Sequence, residues 1–182
     1  MPVLISMLRG INVGSRHRIK MEDLRALYES LDFRNPRTFI QSGNVVFEAQ
    51  DRKLEKIRKR IEEGIEQRFG FHSDVILRTV EEMKDAIERD TFAGRENFNP
   101  GKLVIVFLAA DPGMDAIAQV RAMKVAPEEL RIGGRELYVY YPNGMGRSKF
   151  PMTAIAKILK TEWTGRNWNS VTKLLELAGS FR

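Results

Sequence analysis

The chain has 182 residues and a mass of 20.9 kDa, with 43% apolar and 30% charged residues, which describes one large or two small folded domains and excludes disorder throughout. It holds no cysteine, so disulfides, thiol nucleophiles and thiolate-bound zinc or iron–sulfur centres are excluded. The net charge is +6; the longest apolar run, Leu103–Ala110, is too short to span a bilayer, and MPVLISMLRG lacks the basic start and cleavage site of a signal peptide, so a cytoplasmic protein without a membrane partner is expected.

In chain order, Val3–Leu8 reads as a strand running into a glycine-bracketed loop. A helix follows near Met21–Leu31, with Met21, Leu24, Leu27, Tyr28 and Leu31 spaced by three and four. Asn35-Pro36 marks a turn. Arg37–Gln41 and Val45–Glu48 read as a hairpin across Ser42-Gly43-Asn44. Asp51 is the expected N-cap of a helix over 52–69, with Leu54, Ile57, Ile61, Ile65 and Phe69 as its buried stripe and Gly70 as its stop. His72–Arg78 alternates as a fourth strand. The order β-α-β-β-α-β is the split βαβ, ferredoxin-like unit, an antiparallel sheet with two helices on one face.

Thr79 and Glu82 fit a capping box that opens a helix to about Arg89. Residues 90–101 carry turn formers and read as a linker. The pattern then restarts. Leu103–Ala109 reads as a buried strand, and Asp111-Pro112 opens a helix with Met114, Ile117, Ala118 and Val120 inward. Glu129–Ile132 and Glu136–Tyr141 flank Gly133-Gly134 as a hairpin. Two helices, about Met152–Trp163 ended by Gly165 and about Asn169–Ala178, close the chain. The expected fold class is α+β: two tandem ferredoxin-like α/β plait units, residues 1–90 and residues 91–182 with two closing helices.

The charge is unevenly spread. Residues 1–130 hold 21 basic and 21 acidic side chains, whereas residues 131–182 hold nine basic against three acidic, the whole excess of six. Such polarity favours an anionic partner; excess Lys and Arg also simply keep proteins soluble. A smaller cluster is Arg16, Arg18 and Lys20, with His17 among them and Arg9 upstream. His17 and His72 lie far apart with no carboxylate at metal spacing, and there is no HExxH, calcium loop or Walker A loop. Gly10 and Gly14 lack the third glycine of a dinucleotide fingerprint. No cofactor and no metal is implied, and no reaction is readable: Ser42 has no base nearby in sequence, and Lys149 would act as a base or clamp only if buried.

Four polar, turn-rich segments stand out: Leu8–Gly14, Gln41–Asn44, Tyr141–Lys149 and Gly165–Asn169. They carry Asn, Ser, Gln, Arg and Trp, which suit directional hydrogen bonding and stacking. Asn and Ser also cap helices and shape turns, a reading that fits Asn167 and Asn169, and Trp168 heads the apolar series Val171, Leu174 and Leu175. LRGINVG, Met21 with Leu24, TFIQSGNVVFE at Thr38–Glu48 and RNWNSVTKLLEL at Arg166–Leu177 closely resemble the bacterial domain-of-unknown-function family 1697. The resemblance runs nearly end to end. It implies a pair of ferredoxin-like plaits and no activity.

The candidate ligand-binding residues are Arg9, Asn12, Gln41, Ser42, Asn44, Lys149, Arg166 and Asn167. The first functional reading is a small anionic ligand, phosphate- or carboxylate-bearing, in a polar crevice between the two units, with Arg9, Lys149 and Arg166 neutralising it. The second is a nucleic-acid binder that uses the basic C-terminal third, with Tyr138 and Tyr140 on one strand face as a stacking platform. The third is a protein-interaction or dimerisation module. None of these readings sets an oligomeric state.

Overall fold

The structure is a computed structural model that describes residues 1–89, 92 and 94–181. The chain divides into two compact units, Met1–Asp85 with Lys173–Arg182, and Ala86–Thr172. Each is a mixed α+β assembly around a four-stranded antiparallel sheet, a pair of tandem plaits.

In the first unit the elements are β1 (Val3–Leu8), α1 (Met21–Ser30), β2 (Arg34–Phe39), β3 (Asn44–Glu48), α2 (Leu54–Phe69) and β4 (Val75–Thr79), with sheet order β2-β3-β1-β4. The period-two alternation of β1 puts Leu4, Ser6 and Leu8 on one face. Leu4, Leu8, Val45, Phe47, Val75 and Leu77 pack there against Leu24, Leu27 and Tyr28 of α1 and Ile57, Ile61 and Ile65 of α2. Ser6 is polar in this core, and its Oγ meets the Tyr28 hydroxyl at 2.7 Å. Burial pushes the Tyr28 phenol well above its ordinary range. β2 contains Pro36, and its register with β3 shifts between Arg34 and Arg37.

Caps behave as local chemistry requires at Gly70 and Thr79, with two displacements; one is Asp111, which accepts from the Gly113 N–H at 2.8 Å ahead of a helix that begins at Met114, and there Met114 and Ala118 are exposed where the sequence reading had them inward. Gly70 ends α2 in the left-handed conformation, φ +77°. Asp51 does not cap α2; it accepts from the Lys53 N–H at 3.0 Å, two residues ahead of the cap position, and the helix begins at Leu54. Thr79 and Glu82 form the capping box: the Glu82 N–H donates to Thr79 Oγ1 at 3.1 Å and the Thr79 N–H to the Glu82 carboxylate at 2.9 Å. They open α3 (Val80–Glu88).

The second unit has β5 (Leu103–Leu108), α4 (Met114–Arg121), β6 (Glu129–Gly133), β7 (Glu136–Tyr140), α5 (Met152–Leu159) and β8 (Trp163–Asn167), followed by α6 (Trp168–Gly179), with sheet order β6-β7-β5-β8. Val106, Leu108, Leu137 and Val139 pack on Val120 of α4 and on Ile155 and Leu159 of α5. β8 corrects the sequence reading, which ran a helix to Trp163 and ended it at Gly165. Lys160 takes φ +49° and stops α5 without a glycine, and WTGRN then pairs with β5 although it lacks the β-branched run that marks a strand. The 90–101 stretch is also more than a linker where it is described. Phe92 and Phe98 lie 5.7 and 5.6 Å from the Tyr140 ring, and Arg95 pairs with Glu129 at 2.7 Å. Asp90, Thr91 and Ala93 of that stretch lie outside the described residues.

The second face of each sheet is buried as well. Ile5, Met7, Val46 and Ile76 are covered in the first unit, and Ile105, Phe107, Tyr138 and Tyr140 in the second. At 1% and 2% exposure Tyr138 and Tyr140 offer no surface for base stacking. The Tyr138 hydroxyl donates to the Ala86 carbonyl at 2.6 Å. No helix among the described residues is long and apolar enough to cross a membrane.

Candidate functional site

At one end of the first sheet the loop after β1 meets the β2–β3 connection and the approach to β4. Asn12 organises this meeting. It takes φ +54°, its Oδ1 accepts from the Ile19 N–H at 2.9 Å, and its Nδ2 donates to the carbonyls of Ile19 at 3.0 Å and Gln41 at 2.8 Å. Gly43, φ +79°, seats the connection against β1: a Cβ there would lie 2.8 Å from Leu8 Cβ and 2.7 Å from Ile11 Cδ1, and the Leu8 N–H donates to the Gly43 carbonyl at 2.9 Å. Asn44 is buried and donates to Ser42 Oγ at 2.8 Å and the Phe39 carbonyl at 3.2 Å. Ile40, half exposed, holds φ +50°, a left-handed conformation that costs a β-branched residue about 1–3 kcal/mol and that surrounding structure must enforce.

Arg9 is exposed on the same end and faces Asp74 at 3.5 Å. Ser73 Oγ donates to the Arg9 carbonyl at 2.8 Å. Asp74 also meets His72 Nε2 at 3.0 Å, and this contact holds the His72 pKa above its usual value. His17 stacks on Phe71 with centroids 4.3 Å apart.

In the second unit the Tyr141–Pro151 segment separates two concavities. One, about 400 Å³, is lined by Lys124, Arg147, Lys149, Asn143, Ser148 and Glu128. Ser148 Oγ donates to Glu128 at 2.6 Å and accepts from the Phe150 N–H at 3.0 Å, which fixes the loop. The side chains of Lys124, Arg147 and Lys149 make no hydrogen bond or ion pair among the described residues. The other, about 460 Å³, is largely apolar, lined by Val104, Val106, Tyr141, Met145, Met152 and Trp163, with Lys102 and Asn167 also on its wall. Gly144 borders both. Burial, and secondarily the Glu128 carboxylate, raise the Tyr141 phenol.

The structure thus gathers Arg9, Asn12, Gln41, Ser42 and Asn44 at one end of the first unit and puts Lys149, Arg166 and Asn167 in the second. Arg166 is not in a loop. It belongs to β8, is 8% exposed, and donates to Thr164 Oγ1 at 2.7 Å and the Gly165 carbonyl at 2.8 Å. Desolvation lowers its pKa to about 10. Strand alternation puts Arg166 on the sheet face opposite Trp163, Gly165 and Asn167, which line the apolar groove. Asn167 donates to the Gly101 carbonyl at 2.8 Å and accepts from the Asn169 N–H at 3.0 Å at the start of α6. Lys124 was invisible in the sequence, because it lies in a stretch without periodicity or motif and only the fold brings it to Lys149. The Trp163–Gly165–Asn167 alternation was hidden by the missed strand.

The family described as "Protein of unknown function (DUF1697)" matches residues 1–138, a span that includes the whole first-unit loop cluster. The chain belongs to domain-of-unknown-function family 1697. Lys149, Arg166 and Asn167 of this family 1697 protein lie beyond the matched residues. Among solved structures it is similar to a conserved bacterial protein from Streptococcus pneumoniae, with 20% identity, 97% of this chain and 98% of that chain covered, and a TM-score of 0.69. At that identity the likeness establishes the fold alone. No curated protein matches the chain.

Proposed function

We propose that the protein binds a small anionic ligand, phosphate- or carboxylate-bearing, in the cationic concavity of the second unit. The observation that carries this reading is the set of three uncommitted cations, Lys124, Arg147 and Lys149, around a cavity of about 400 Å³, a size ordinary for small-molecule sites. Among the described residues the one carboxylate on the wall, Glu128, is engaged by Ser148. The loop is held before any ligand arrives, so little ordering entropy is lost on binding. The adjoining apolar groove suits a ligand whose anionic group is attached to a planar or aliphatic body.

The test is titration calorimetry with pyrophosphate, an aliphatic carboxylate and an aryl phosphate. Lys149→Ala with Lys124→Ala should weaken every phosphate at least tenfold. Gly165→Val narrows the groove, since even a Cβ there would lie 3.3 Å from Val104 Cγ1; it should remove the advantage of aryl phosphate and leave pyrophosphate unchanged. Wild-type protein that binds none of these anions, or a double variant that binds them as wild type does, overturns the proposal.

A further inference from the structure

A second binding surface lies on the first unit, and its chemistry differs from that of the cavity. Three rings run along its surface. Phe69, the last residue of α2, stands 6.5 Å from Phe71, and Phe71 stacks on His17 at 4.3 Å with planes 15° apart. Phe69 and Phe71 are half-buried and packed on the core, whereas His17 is exposed. His17 makes no other ring contact among the described residues, so one imidazole face rests on Phe71 and the other is open. The backbone beneath is fixed: the Asn12 N–H donates to the His17 carbonyl at 3.0 Å, Val13 and Arg16 form an isolated bridge, and Asn12 clamps Ile19 from both sides.

The charge around these rings is one-sided. Residues 9–20 contain Arg9, Arg16, Arg18 and Lys20 and no carboxylate, and residues 67–73 contain Arg68 and no carboxylate. Arg68 lies 5.9 Å from the Phe69 ring centroid. Among the described residues the side chains of Arg16 and Lys20 make no hydrogen bond or ion pair, and the hydrogen bond of the Arg18 side chain goes to the Gly14 carbonyl, at 2.8 Å. The acidic neighbours are Asp74, already bonded to His72 and Arg9, Glu62 and Glu66 of α2, which also act on His72, and Glu22 and Asp23 in the first turn of α1. Exposed cations with an open ring among them meet the two requirements of single-strand binding, backbone neutralisation and base stacking. The sheet faces, where plaits otherwise stack bases, are buried in both units.

We propose that the His17–Phe71 stack and the cations of the 9–20 loop form a docking surface for single-stranded nucleic acid. One base stacks on the His17 imidazole, and neighbouring phosphates pass over Arg16, Arg18 and Lys20.

The test is fluorescence anisotropy with a short labelled oligothymidylate across a salt series, with inorganic polyphosphate as competitor. His17→Asn removes the ring and keeps a residue tolerant of the left-handed backbone, φ +51°. It should weaken oligothymidylate about fivefold or more, leave the salt slope unchanged and leave polyphosphate competition as in wild type. Arg16→Ala with Arg18→Ala and Lys20→Ala should flatten the log–log salt slope by about two. In the wild-type protein the His17 Hε1 resonance should move upfield on adding oligothymidylate and stay in place on adding polyphosphate, a readout independent of how any variant folds. No retention of oligothymidylate at low salt, a His17→Asn protein that binds as wild type, an unmoved Hε1 signal, or an unchanged slope in the triple variant overturns the proposal. Loss caused by Lys149→Ala in place of the 9–20 changes would also overturn it and move the contact to the other unit.

Discussion

Gly43→Ala is the sharpest probe of how the first-unit loops are held. Two effects add at this position. Alanine at φ +79° costs roughly 1–2 kcal/mol relative to glycine because its Cβ crowds the backbone. The new methyl also lies 2.8 Å from Leu8 Cβ and 2.7 Å from Ile11 Cδ1. Ile11 can rotate its terminal methyl aside, but its Cγ1, at 2.9 Å, must also give way. Leu8 Cβ is tied to the strand backbone, so the Gln41–Asn44 connection must lift off β1 and strain the bond from Leu8 N–H to Gly43 O. Overpacking of this kind adds about 1–3 kcal/mol, for a total of roughly 2–5 kcal/mol. Gly10→Ala separates the two effects, since Gly10 has φ +69° with nothing within 4 Å of its Cβ position; it should lose only about 1–2 kcal/mol. Urea titrations followed by circular dichroism would give both values from the midpoints at constant m. Equal losses for the two variants would refute the close approach of the connection to β1.

Three further outcomes follow from the geometry. Asn12→Ala removes one acceptor and two donor contacts to Ile19 and Gln41 and should cost about 2 kcal/mol by the same titration; a loss within experimental error would show that the loop is held otherwise. Thr79→Ala breaks the capping box and should cost about 1 kcal/mol; no change in the urea midpoint would argue against it. Because Asp74 raises the pKa of His72 from 6.5, the folded state favours protonated His72. Its stabilising contribution is full below that unfolded value and is lost as pH rises through the higher folded value. An NMR titration of the His72 ring should show the raised midpoint, and Asp74→Asn should bring it down; an unmoved midpoint in the variant would contradict the pairing.

The first unit is legible because its sequence signals agree with one another. The stripe Ile57, Ile61, Ile65 has helical spacing, Gly70 supplies the stop, and Thr79 with Glu82 supplies the next start, so the core residues follow from pattern alone. The end of the second unit is illegible for a definite reason. β8 is a five-residue edge strand containing Gly165 and Asn167, and its pairing with β5 is a long-range contact that no local periodicity announces. The error carried into the candidate site: read as loop, Arg166 looked like a ligand contact, whereas in a strand its side chain is buried on the face away from the groove. Asn12 and Asn44 were flagged for their chemistry, and their hydrogen bonds go to the backbone and to Ser42, which is what short amides in turns most readily do. Lys149 and Lys124 meet only in three dimensions, and one of the pair carried no sequence signal.

Pro36 and the slipped pairing of β2 bear on behaviour at high concentration. An open sheet border is a template on which another extended chain can grow. Along this border an incoming strand meets a missing amide donor at Pro36, an interrupted ladder between Arg34 and Arg37, and two positively charged side chains. Stacking of protomers through that margin is disfavoured, so the first unit is guarded against fibrillar assembly on the side where its sheet would otherwise be most sociable.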